Sequence, residues 1–516
     1  MQHAADVIGV LSGFDRLRLM ASLRPLYSPG YMMRYLSCVG VLLKDFAGFA
    51  AGWTERVRAA AHQLAQESGR PLLYLHGSSQ RKELLARDLA RRDAVQQGLI
   101  GIWSVVEPCL TYFVRRNRQQ KKLLLRLEPG KCLHYYFYFL HGQLGLLHLR
   151  LQTWFPFAIQ LCLNGRHWLA RQLDAAGIGY LQRENCFTWI EDPARAQALA
   201  RAQLRSCWPR LLQPLIEQCH PHAEELCRPL ALCYYWSVSE SEYATDVMFK
   251  TPAALARLYP ALVHQGIKHF GSGDVLRFLG HKVQVNGQVH GNHQGEILSS
   301  LKRRPEGLRL KHQAGANSVK LYDKQGSVLR VETTLNRPHQ FRVYRASERD
   351  PKGRKRWQVL RKSVGDLHRR AHICQAINGR YLQALASVRA GQSAGELTRT
   401  VCRPVIRQGR RYRALNPWSE ADATLLEIIS RGEWTLSGFR NRDLRSVLYP
   451  GKTDALEARR QSGRITRTLA LFRAHGMIKK INGTYRYQLT SQGRQIITTL
   501  LAARQAEVQK LLALAA

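Results

Sequence analysis

Apolar and aromatic residues dominate LTYFVRRN, KKLLLRL, CLHYYFYF and LGLLHLRLQTWFPF, between residues 109 and 158, with polar positions alternating through LHLRLQ. A period of two puts one row of side chains on each face of a sheet, so this run predicts a strand meander. Ahead of it, PLLYLHG, QRKELLARDLARRDAVQQ and GLIGIWSVV predict strand, helix and strand, with Ser78 and Ser79 as helix caps. Residues 1–68 read as helical, and WTERVRAAAHQLAQESG has the apolar spacing of an amphipathic helix stopped by Gly69. AIQLCLNGRHWLARQLDAAG predicts a helix or a strand and helix, a short strand follows through GYLQREN, and residues 193–232 read as helical again.

In the second half, PAALARLYPALVHQG is a helix with Pro252 in its first turn and Gly266 past its end. SVKLYDKQGSVLRVETTLN predicts two strands about a tight turn at Lys324–Gly326. TRTVCRPVIRQGRRYR, with six Arg and no acid, is the expected linker. Beyond it SEADATLLEIISRG, NRDLRSVLY and EARRQSGRITRTLALFRAHG predict three helices, the third keeping Ile465, Leu469 and Phe472 on one face. MIKKINGTYRYQLT then predicts a hairpin turning at Asn482–Gly483, and a last helix starts at Thr490. That order resembles the winged helix of bacterial regulators of the MarR type. The resemblance implies a third helix in a major groove, with Arg459, Arg460, Gln461, Arg464 and Arg467 facing nucleic acid and Lys479, Lys480 and Arg486 on the wing. The fold class predicted is therefore α+β and multidomain, a strand-meander core with packed helices and a C-terminal winged helix-turn-helix. The expected divisions are 1–68 (helical), 69–232 (α+β with the meander), 233–397 (basic α+β), 398–416 (linker) and 417–516 (winged helix and final helix).

Charge sharpens this picture. The 516 residues hold 78 Lys and Arg against 37 Asp and Glu, a formal charge of +41. A compact chain with that excess repels itself, so a polyanion, DNA or RNA, is the expected partner, and binding should fall steeply with salt. The cations recur along the chain: six between Val114 and Arg126 without an acid, six against one acid around Arg303, Arg304, Arg309 and Lys311, and eight against one around Arg354, Lys355 and Arg356. Trp357 lies among the last group, and basic residues interleaved with an aromatic suit a phosphate backbone. Eleven cysteines without a CxxC pair, and no secretory leader, fit a reducing cytoplasm. The most apolar run carries three His and an Arg, so no membrane span is expected.

Chemistry is where the sequence leaves alternatives open. P-loop, GxGxxG, HExxH and nucleophile-elbow motifs are absent. In the 318–336 hairpin, Lys320, Tyr322, Arg330 and Glu332 alternate toward one expected exposed face, with Lys324 at the turn. A Tyr hydroxyl can attack a phosphodiester, a carboxylate can hold a divalent cation such as magnesium, and Lys or Arg can neutralise phosphate. The pattern loosely resembles the closing strands of plasmid and phage replication initiators that nick DNA through tyrosine. That resemblance implies Tyr322 as nucleophile; under a nicking-enzyme reading, Glu332 and Asp246 are the expected metal ligands. ESEYATD supplies Glu240, Glu242 and Asp246, either as metal-binding acids or as counter-charges. Other candidate ligands are His220 and His222, the set Asp274, His281, His290, His293 and Glu296, and, for zinc, the set Cys219, His220, Cys227 and Cys233. Across VVEPC, HYYFYF, LQTWFPF, NGRHWLARQL, the hairpin and GFRNRDLRS, the chain is similar to a widespread family of uncharacterised basic bacterial proteins, which brings no activity with it; relatives carry Asp at the position of His141. Two readings stand: a metal-dependent nicking or strand-transfer enzyme of a mobile element, or a non-catalytic binder, either the protein half of a ribonucleoprotein or a winged-helix regulator.

Overall fold

The protein is described from a computed structural model, which covers residues 4–77, 79–281, 296–304, 307–347, 350, 352–386, 394–431, 434, 438–451 and 454–505. The fold is mixed α+β. The chain forms two compact units, each discontinuous in sequence. The meander unit comprises residues 9–246 and 334–375, and the C-terminal unit comprises 1–8, 247–333 and 376–516.

In the meander unit the sheet order is Leu72–Tyr74, Gly98–Asn117, Lys122–His141, Gly145–Gln152, Ile159–Asn164, Val7–Ser22 and Tyr235–Phe249. The short strand Leu72–Tyr74 runs parallel to its neighbour, and the pairs from Gly98 to Ser22 are antiparallel. The predicted meander is therefore present, extended by two twenty-residue strands that form one long hairpin. One row crosses five strands as Leu19, Leu161, Leu149, Phe137 and Ile102, all essentially excluded from solvent. Each such side chain contributes about 1.5–3 kcal/mol of burial. The helices Phe46–Glu67, Gly165–Ala175 and Trp208–Cys219 belong to the same unit and pack against its strands. Close packing fixes Gly165, where a Cβ would lie 2.1 Å from the Phe14 carbonyl oxygen.

Two local expectations are corrected here. Val7–Ser22 is a strand, not helix: it pairs with Ile159–Asn164 through Arg16↔Asn164 to Ala21↔Ile159. The helix after PLLYLHG begins at Lys82, its N-cap position is Arg81, and no side chain caps it. Lys82 is buried instead by its ion pair to Glu107, 3.0 Å away.

In the C-terminal unit, the strands Ile297–Arg304, Gly307–Ala314, Asn317–Lys324 and Val328–Leu335 lie side by side in chain order. One face carries Leu310, Val319 and Leu321, which are fully buried. The helix Pro252–Lys268 packs close on it, since a Cβ at Gly266 would lie 2.3 Å from Leu310 Cδ2. His312 spans the same layer, with Nε2 3.0 Å from the Tyr381 hydroxyl and Nδ1 2.7 Å from Ser299 Oγ. Further along come the helices Glu420–Ser430, Asn441–Leu448 and Ala455–Ala474, the strands Ile478–Lys480 and Tyr487–Leu489, and the helix Ser491–Gln505. They share a separate apolar core that includes Leu426, Trp434, Phe439, Ile465, Leu469, Phe472 and Ile497. Phe439 and Tyr487 exchange both backbone hydrogen bonds at 2.8 Å, tying the second helix's approach to the hairpin. Among the described residues no single helix is long and apolar enough to cross a membrane; Pro29–Cys38 and Leu43–Glu67 meet that test only jointly, across a 96° bend.

Candidate functional site

The strongest concentration of chemistry lies on the second face of the four-stranded sheet in the C-terminal unit. Antiparallel register sets Lys302 opposite Arg309, Arg309 opposite Tyr322, and Lys311 opposite Lys320. Arg309 and Lys311 stand two residues apart, so these pairs share one face. Two cross-strand pairs of like charge therefore sit side by side, an arrangement that costs stability. Burial, and then Lys320, Arg309 and Lys302 in turn, hold the Lys311 ammonium below the usual lysine range. Lys302, Arg303 and Arg304 are exposed, Arg309, Lys311 and Lys324 are half-buried, and exposure falls toward the 328–335 strand.

At the buried end of this face is Glu332. It accepts from Lys320 Nζ at 2.6 Å through Oε1 and from the Tyr322 hydroxyl at 2.7 Å through Oε2. Burial alone would raise its carboxyl. The Lys320 charge, the hydrogen bonds from Lys320 and Tyr322, and the Arg330 charge outweigh that and hold it below the ordinary range. The pleat thus brings together the residues picked from YDK and RVE, but it buries them: Tyr322 is 9% exposed, Glu332 3% and Arg330 0%. The expected exposed face is corrected accordingly. The face reaches solvent through Lys302, Arg309 and Lys311, not through Arg330.

Asp246 belongs to the meander unit and carries an ion pair to Arg166 at 2.9 Å, both side chains 1% exposed. Arg166 also donates to the Ala244 carbonyl at 3.2 Å. The neighbouring acids serve arginines as well: Glu240 pairs with Arg16 and Arg18 at 3.1 and 2.8 Å, and Glu242 with Arg16 at 3.2 Å. Magnesium takes oxygen ligands. Glu332 and Asp246 offer such oxygens, and in this structure each meets a cation, Lys320 and Arg166 respectively.

Two of the remaining ligand candidates have other roles. His220 is a core ring, stacked 5.8 Å from Phe157 and pushed down to about 3, first by burial. Asp274 accepts from the Gly271 N–H at 3.0 Å and pairs with Arg277 at 3.5 Å, while burial raises its carboxyl. His290 and His293 lie outside the described residues. Sequence spacing gave no hint of Cys109, Cys132 and His134, whose ligand atoms lie within 4.8 Å of one another on the long hairpin. The two sulfurs are 3.4 Å apart, and His134 Nδ1 is 3.0 Å from the Cys132 carbonyl oxygen. Equally unannounced is Glu107, which accepts from Tyr136 at 2.7 Å and pairs with both Lys82 and Arg150 at 3.0 Å.

Among the C-terminal helices, Arg459, Arg460, Arg464 and Arg467 are exposed along Ala455–Ala474, and Lys479 and Lys480 are exposed on the hairpin. Gln461 departs from the expected set: it is 5% exposed, because it continues the inward row of Ile465 and Leu469 at a spacing of four. Arg486 is half-buried and donates to the Gly438 carbonyl at 3.3 Å. In the meander unit, Arg354, Lys355, Arg356 and Trp357 are all exposed. No protein-family model, curated protein or solved structure matches the chain.

Proposed function

We propose that this protein binds nucleic acid, with the Lys302–Arg309–Lys311–Lys320 face holding phosphates. The observation that carries the reading is the double like-charge pairing of Lys302 with Arg309 and Lys311 with Lys320. A fold that sets cations opposite one another, with Glu332 as the carboxylate among them, accepts a cost that a bound polyanion removes. The net charge of +41 extends the same logic over the chain.

A second contact region rests on a separate observation. Three helices, a two-stranded hairpin and a final helix follow one another in the order of a winged helix, with an arginine row on the outer side of the third helix. In that reading Arg459, Arg460, Arg464 and Arg467 meet the nucleic acid and Lys479 and Lys480 flank it. Nicking through Tyr322 is left out of this proposal, because its hydroxyl is buried and already donates to Glu332.

The test is a salt titration of binding by the full chain and by the double variant K302Q/K311Q. Each lost phosphate contact removes about 0.9 from the slope of log K against log salt, so the variant's slope falls by about 1.8. The free variant should also melt no lower than the parent, since a repulsion has been relieved. Absence of binding by the parent at low salt, or an unchanged slope in the variant, overturns the proposal.

A further inference from the structure

The meander unit carries an exposed aromatic pair that nothing in its own fold uses. The strands Arg342–Arg345 and Arg356–Val359 form a two-stranded antiparallel hairpin in which Tyr344 stands directly opposite Trp357. Their ring centroids are 5.7 Å apart, with the planes tilted by 57°. Tyr344 is 57% exposed and Trp357 66%, whereas most large aromatic side chains of this fold are buried. The inward side of the same hairpin accounts for its folding: Val343 is 8% exposed, and Arg345 is 7% exposed and 3.7 Å from Asp366. Asp366 in turn pairs with Arg361 at 2.9 Å and Arg369 at 2.7 Å, which anchors the hairpin from beneath. The outward rings are therefore not needed to hold the strands in place.

Cations flank the rings along the hairpin: Arg342 shares the ring face of its strand, and Lys352, Arg354, Lys355 and Arg356 are exposed in the loop and at the start of the second strand, with Asp350 the acid among the loop's described residues. A tryptophan and a tyrosine open to solvent within a row of cations match one ligand chemistry: unstacked bases on a phosphodiester backbone. Base–aromatic stacking tolerates any base, and the cations track the phosphates. A duplex, whose bases are already stacked and paired, offers the rings nothing. We infer that the Tyr344–Trp357 hairpin is a stacking platform for an unpaired segment of RNA or DNA. The inference rests on the nucleic-acid reading above and adds to it a strand form and a site.

The experiment measures fluorescence anisotropy of labelled oligonucleotides of about 15 nucleotides, a length within the range of single-strand sites. Single-stranded RNA, single-stranded DNA and a DNA duplex are each titrated, at several salt concentrations, with the full chain, W357A, Y344A, W357F and R354Q/K355Q. Loss of the ring in W357A should weaken single-strand binding by about tenfold or more, with the salt slope unchanged. Duplex binding by W357A should stay within about twofold, and W357F, which keeps an aromatic face, should recover most of the loss. In contrast, R354Q/K355Q should reduce the salt slope of single-strand binding by about 1.4. The RNA and DNA arms show which backbone is preferred, and selective loss in either one supports the platform. Equal weakening of duplex and single strand by W357A, or single-strand affinity within twofold of the parent, overturns the platform while leaving the nucleic-acid reading intact. Failure of the parent to bind any of the three at low salt overturns both.

Discussion

Asp246 shows how a residue's role depends on partners that the local sequence does not display. In ESEYATD it stands among acids in a basic neighbourhood, a setting equally suited to a metal and to counter-charge. Arg166, eighty residues away in the chain, settles its surroundings by an ion pair that both side chains bury to 1% exposure. Removing one member of such a pair strands the other charge in the interior. D246A is therefore expected to destabilise the protein by about 3–5 kcal/mol in chemical denaturation. A change below about 1 kcal/mol would show that Arg166 needs no partner there. Tyr322, Lys320 and Glu332 were legible as neighbours because strand periodicity is local. Their burial was not, since exposure depends on what covers a face.

Elements were legible where one periodicity ran uninterrupted. In the helix Ala455–Ala474, Gln461, Ile465, Leu469 and Phe472 point inward and Arg459, Arg460, Arg464 and Arg467 outward, and only Gln461 broke the expectation set by residue type. The strand Val7–Ser22 was misjudged for a physical reason. Its first half has a continuous buried run, Leu11 to Asp15, and Arg16 and Arg18 alternate with Leu17 and Leu19 only afterwards. A stretch buried on both faces loses simple alternation, and the strand's partner Ile159–Asn164 is remote in sequence. For the arginine helix, R464Q/R467Q is expected to lower the salt slope of nucleic-acid binding by about 1.8. Its stability should stay within about 0.5 kcal/mol of the parent, because both side chains are exposed. Equal slopes for variant and parent would remove this helix from the contact surface.

At the scale of the whole molecule, composition announced the charge but not its acid lability. Burial, the leading cause in each case, pushes His134, His148, His167 and His312 down to about 4 and His220 to about 3. The folded state keeps these rings neutral while the unfolded chain protonates them near pH 6.5. Unfolded protein thus binds more protons below that pH, so stability is lost as pH falls from about 6.5 toward 4. Glu332 adds loss at the acid end: its folded carboxyl lies below the ordinary range, so its contribution is present above the unfolded value and disappears as pH falls through the folded one. The urea midpoint should accordingly drop between pH 7 and pH 5, and a flat profile there would contradict five histidines that the fold holds neutral.

The interleaving of the two units also bears on how the chain is made. Residues 247–333 leave the ribosome after most of the meander unit, yet that unit's own residues 334–375 follow them, and residues 376–516 of the C-terminal unit come later still. Translation at roughly 5–20 residues per second separates the two parts of the meander unit by on the order of ten seconds. During that interval a nascent chain holds the meander strands without the Arg342–Arg345 and Arg356–Val359 hairpin that belongs to the same unit. Neither unit matches one uninterrupted exon-like segment, so a single cut, fusion or frameshift anywhere between residues 247 and 375 interrupts both at once.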